Sequence, residues 1–74
     1  MSERHYIAIA EQAEDGSWSA YVPDLPGCTS GGKSSEEALE NVVVSIQLWL
    51  EEAKAQHEII PAATIKVREI AIAV

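Results

Sequence analysis

Residues 23–39, PDLPGCTSGGKSSEEAL, limit what this chain can fold into more than any other stretch. Pro23 cannot donate to a strand ladder, so it ends the strand before it. Pro26-Gly27 favours a tight turn, proline fixing φ and glycine accepting the left-handed position. A short strand over Cys28-Thr29-Ser30 follows, closed by Gly31-Gly32. Ser34-Ser35-Glu36-Glu37 then reads as a capping box. Ser34 accepts from the Glu37 amide, the Glu37 side chain reaches back, and both glutamates sit at the positive end of the helix dipole.

The flanks supply the other elements. HYIAIAE (residues 5–11) reads as a strand, with Ile7 and Ile9 on one face and Tyr6, Ala8 and Ala10 on the other. Asp15-Gly16 signals a hairpin, and WSAYV (18–22) is its return strand. The helix is expected over about 35–56, with Leu39, Val42, Val43, Ile46, Leu50 and Ala53 as its core stripe and Trp49 and Ala38 on the flank of that stripe. Val44 and Leu48 fall opposite that stripe, one turn apart, among glutamates. After Pro61, TIKVREIAIAV reads as a last strand. Its alternation changes phase between Val67 and Ile70, which predicts a bulge near Arg68-Glu69. The expected fold class is therefore α+β in the order β-β-β-α-β: a three-stranded antiparallel sheet plus a C-terminal strand, with one helix packed on it.

At 74 residues, this is expected to be one domain over 1–74 with a marginal core. One cysteine gives no intramolecular disulfide and no Cys/His cluster for a structural zinc, so oligomerisation is the expected support. The lone thiol, and an N-terminus without a long apolar run, predict a cytoplasmic protein that neither crosses nor binds a membrane. Twelve acidic against five basic residues give a net charge of −7, and the cations are scattered. That balance argues against direct nucleic-acid binding, and favours either a basic partner or solubility alone.

Catalytic and metal readings are not supported, and no cofactor is expected. His5 and His57 are far apart in sequence and read as surface residues. Cys28 has no histidine beside it and reads as a half-buried structural thiol. Glu11, Asp15 and Asp24, the candidate carboxylates of a metal-dependent nuclease, are spread over a strand, a hairpin tip and a loop. Gly31-Gly32-Lys33-Ser34 superficially matches the end of a phosphate loop. It is not read as one, because the glycines close a strand and Ser34 caps a helix.

The run YVPDLPGCTSGGKSSEEALENV, preceded by the EDGSWSA hairpin, resembles the N-terminal domain of the HicB family of antitoxins. The pieces occur in order and cover most of the chain. The resemblance implies a fold similar to a truncated ribonuclease H without that enzyme's catalytic carboxylates. It also implies a partner: HicA, a small basic toxin with a double-stranded-RNA-binding-like fold that cleaves mRNA. Many family members carry a C-terminal DNA-binding domain. Only 13 residues follow Pro61 here, so DNA binding is not carried over.

Two contact surfaces follow from the residues. Pro23, Asp24, Leu25, Pro26 and Gly27 form a rigid turn expected to present Asp24 and Leu25 for docking at little entropic cost. Val44 and Leu48 form a small apolar patch with a charged rim, as contact surfaces do. Ile70 and Ile72 on the final strand are a further candidate for self-association, since an apolar edge invites pairing. The leading reading is an antitoxin-type module that occludes a basic RNA-cleaving toxin. The alternative is a solitary oligomeric (dimeric or tetrameric) scaffold or binding domain with no toxin.

Overall fold

The computed structural model describes residues 3–74. Strand β1 (Ile9–Gln12) turns through residues 13–17 into β2 (Trp18–Tyr21). Gly16 takes φ 90°, and Asp15 Oδ1 accepts from the Ser17 amide and hydroxyl, which locks the tip. β2 then pairs antiparallel with β3 (Thr29–Gly32), giving the sheet order β1-β2-β3. Helix α1 (Ser35–Ala55) returns across one face of that sheet. The fold class is α+β, as expected.

Residues 22–28 make two turns in succession. Leu25 donates to the Val22 carbonyl and Cys28 to the Leu25 carbonyl, while Val22 donates across to Cys28. Gly27, at φ 80°, takes the left-handed place after Pro26 that a type II turn requires. The double turn folds Leu25 inward. It is fully buried and, with Val42, is one of the two largest fully buried side chains, packed among Ala20, Val22, Cys28 and Ala38. The expectation that the rigid turn presents Leu25 for docking is therefore corrected: the turn delivers this side chain to the core.

The helix starts as its capping sequence dictates. Ser34 Oγ accepts from the Glu37 amide at 3.1 Å, and Glu37 Oε1 accepts from the Lys33 amide at 3.0 Å. It stops at a residue that gave no warning. His57 adopts φ 56°, with its amide bonded to Lys54 and that of Glu58 bonded to Ala53, a left-handed cap usually made by glycine. The inward face also differs from the expected stripe. Ala38, Val42 and Ala53 are buried and Ser45, Ile46 and Trp49 turn toward the sheet, whereas Leu39 and Val43 are exposed. Apolar residues occupy three sides of this helix, so periodicity alone did not fix its rotation. Small side chains did, because they let the helix come close. A Cβ at Gly32 would lie 2.7 Å from the Ala38 nitrogen.

The C-terminal strand is the second correction. Residues 59–74 form no strand and join no sheet ladder among the described residues, so the observed order is β-β-β-α. Their composition is strand-like, but a strand exists only through a partner's hydrogen bonds. No helix among the described residues is long and apolar enough to cross a membrane.

Two substitutions test this packing. Leu25→Ala should lower the unfolding free energy by about 2–5 kcal/mol, and Gly32→Ala by about 1–3 kcal/mol through overpacking. Urea titration of each variant measures both. A loss below about 0.5 kcal/mol for Leu25→Ala, the size of a surface change, would contradict the buried position.

Candidate functional site

The double turn and α1 are joined by side-chain bonds along the β3 side of the helix. Trp49 Nε1 donates to the Pro26 carbonyl at 2.9 Å, Ser45 Oγ to Thr29 at 3.0 Å, and Asn41 Nδ2 to Gly31 at 2.8 Å. These bonds place the turn against the second half of the helix. The groove between them is lined by Pro26, Gly27, Thr29, Leu48, Trp49 and Glu52, among others. Two features that are separate in sequence, the PDLPGC turn and the Leu48 turn of the helix, thus share one surface.

Val44 and Leu48 are 55% and 60% exposed beside that groove. Helical spacing sets Glu37 and Glu40 on one side of the pair and Glu51 and Glu52 on the other, all exposed. The result is a short apolar ridge with carboxylates at both ends. It can offer dispersion and apolar burial at its centre and attract cations at its rim. Of the expected site residues, Pro26, Gly27 and Leu48 meet at the groove with Val44 beside it. Leu25 is withdrawn into the core, and Ile70 and Ile72 lie exposed on the final segment. The roles of Trp49, Ser45 and Asn41 in tying the helix to the turn were not legible. Nothing local in the sequence marks a long-range bond from an indole to a turn carbonyl.

Asp24 has a different occupation from the one expected. Its Oδ2 accepts from the Thr64 amide at 2.8 Å and its Oδ1 from the Thr64 hydroxyl at 2.6 Å. Asp24 therefore anchors the segment after the helix. Nearby, the Pro61 carbonyl accepts from Tyr6 Oη and from Arg4.

The other polar groups are accounted for singly. Burial raises the Cys28 thiol pKa, so the thiolate is disfavoured. Tyr21 Oη donates to Glu11 on the uncovered face of the sheet, Asp15 binds Ser17, and Asp24 holds Thr64, so these three acids do not converge. Among the described residues no group of three or more His, Cys, Asp or Glu is placed to hold a metal ion. Gly27 to Ser34 does carry the full spacing G-x-x-x-x-G-K-S, but its middle residues are strand β3, paired to β2. The Lys33 amide is taken by Glu37. No backbone cradle is left for a phosphate.

Known proteins match this chain over nearly its whole length. The profile of a family described as HicB-like antitoxins of bacterial toxin–antitoxin systems matches residues 6–72. A UPF0150 protein of Synechocystis sp. is 34% identical, over 95% of this chain and 89% of its own length. Another, from Thermoplasma acidophilum, is 41% identical over 76% of this chain and 81% of its own length. A third, from Helicobacter pylori, is 48% identical over 65% of each chain. No solved structure matches.

The Asp24 anchor gives a pH prediction. Accepting from Thr64 lowers the Asp24 pKa below its ordinary 3.8. A lowered folded-state pKa means the contact contributes fully above the ordinary value and is lost as pH falls through the folded one. The Thr64 amide resonance should hold its position from neutral pH down to about the ordinary aspartate pKa of 3.8 and move toward its random-coil position only below it. Asp24→Asn should shift it already at neutral pH. A Thr64 resonance indifferent to both would show that Asp24 does not hold this segment.

Proposed function

We propose that this chain, which belongs to the family of HicB-like antitoxins of bacterial toxin–antitoxin systems, works in the cytoplasm by binding and occluding a small basic RNA-cleaving toxin of the HicA kind. It does so without chemistry of its own. The observation that carries this reading is the acid-rimmed Val44–Leu48 ridge on a chain whose family is that of antitoxins. A basic toxin must present cations to bind RNA. Glutamates at both ends of the ridge suit those cations, and net charge −7 speeds their encounter. Val44 and Leu48 supply the apolar centre that such a contact needs for lifetime. The groove beside Pro26 and Gly27 gives the partner a rigid wall, since the turn is already ordered and loses little on binding.

A second reading has its own support. Ile70 and Ile72 are 67% and 73% exposed on a segment with strand-like alternation, which favours a self-associating binding or scaffold domain with no toxin.

Mixing the purified chain with the small basic protein encoded beside it separates the two. Its RNA cleavage should be blocked at one equivalent. Leu48→Asp with Val44→Asp should weaken the complex at least about tenfold, or about 1.4 kcal/mol, while the helix signal in circular dichroism is kept. RNA cleavage undiminished at stoichiometric excess, or a genome with no such neighbour, would leave the second reading.

A further inference from the structure

Within one copy the sheet has one closed edge and one open edge. Val22 donates to Cys28 and Ala20 is registered with Ser30, so the even-numbered residues of β2 bond to β3. Ser19 and Tyr21 then bond to Glu11 and Ile9. The amides and carbonyls of Ala10 and Gln12 consequently point outward from β1. At the other edge, the outward carbonyls of β3 belong to Thr29 and Gly31, and both accept from α1 through Ser45 and Asn41. A strand can add beside β1 but not beside β3.

The lane beside β1 also has an apolar wall. Helix α1 packs chiefly on β3 and least on β1. Its Leu39, Val43, Ile46 and Leu50 form one stripe, the first two exposed and the last two half-buried. Ile46 and Leu50 share a groove with Tyr6, which places this stripe on the β1 side. A strand laid against β1 would cover it.

Residues 65–74 have the form of such a strand. Ile70, Ile72 and Val74 alternate with the small Ala71 and Ala73, and all of them are exposed. Among the described residues no backbone hydrogen bond joins 66–74 to the rest of the chain. The anchor explains why. From Pro61, held by Tyr6 ahead of β1, the chain crosses the end of the sheet to Thr64, held by Asp24 beyond β2. It is carried past its own lane. The protein is accordingly 48 Å long against 26 and 19 Å in the other directions. Its radius of gyration is 14.1 Å, where a compact chain of this length has about 11 Å.

We propose that residues 66–74 of one copy add as a fourth strand to β1 of a second copy, laying Ile70, Ile72 and Val74 over that copy's Leu39, Val43 and Leu50. Charge identifies the occupant. Counting side chains alone, Lys66 and Arg68 against Glu69 make the segment net positive by one, which leaves eight net negative charges on the remainder of a −7 chain. A basic segment matches the acidic body of another copy and opposes a basic partner. This assembly needs no toxin, so it stands or falls apart from the function proposed above.

Two variants of the full chain test it: a tail variant, Ile70→Asp with Ile72→Asp, and a lane variant, Leu39→Asp with Val43→Asp. All four positions are exposed in the single copy, so both should keep the parent's helix signal. Light scattering at tens of micromolar should find the parent associated and each variant alone monomeric. An equimolar mixture should recover a dimer, because one variant keeps its lane and the other its tail. A monomeric parent overturns the proposal. So does a lane variant that still associates, since that would mean tail-to-tail pairing, or a mixture that stays monomeric. Should either aspartate variant lose its helix signal, Ser replaces Asp at the same positions and the same outcomes are read.

Discussion

Everything distinctive about this protein depends on how closely α1 approaches β3. Gly32 has no room for a Cβ against Ala38, and Ala20 across the sheet is fully buried. The helix is drawn to that side by Asn41, Ser45 and Trp49, which bond to backbone carbonyls of β3 and of the turn. These bonds are solvent-exposed, so each adds only about 0.5–1.5 kcal/mol net, but together they fix where the helix sits. A single helix cannot cover a three-stranded sheet evenly, however. Pulled over β3, it leaves β1 with an open edge and its own Leu39–Val43 flank without cover.

The glycine- and proline-rich turn belongs to the same arrangement. Its prolines and Gly27 shape two consecutive turns that push Leu25 into the space between sheet and helix. Irregular backbone is costly for a chain this short, and here it contributes a core residue that no regular element could place. The turn's outward atoms then form one wall of the groove beside Leu48, and Asp24 secures the segment that follows the helix. Core, candidate contact surface and the direction of the final segment all pass through residues 22–28.

How much of this could be read from sequence depended on the range of the interaction. Local chemistry was legible: the Asp15-Gly16 hairpin, the Pro26-Gly27 turn, and the Ser34–Glu37 cap stand where their residues put them. The helix's rotation was not, because apolar residues on three sides fit several orientations and the choice fell to small residues and long-range side-chain bonds. Leu25 reads as exposed from sequence because its flanking prolines signal rigidity and say nothing of which way the side chain turns. The final strand failed for a different reason: alternation in Ile70, Ile72 and Val74 specifies a strand but not the chain that completes it. For the candidate site, the exposure of Val44 and Leu48 was legible from helical spacing amid glutamates, while their meeting with the turn was not.

One copy leaves its sheet unfinished, and in the proposed assembly a second copy finishes it. Hydrogen exchange measured across a dilution series addresses it directly, at the amides of Ala10 and Gln12 and at the alternate amides of residues 66–74 that face β1. These amides should be protected together at high concentration and lose protection together on dilution, while Ala20 and Val42 stay protected. Protection at Ala10 and Gln12 that is unchanged by dilution would mean that the edge is closed within one copy and that no second copy completes the sheet.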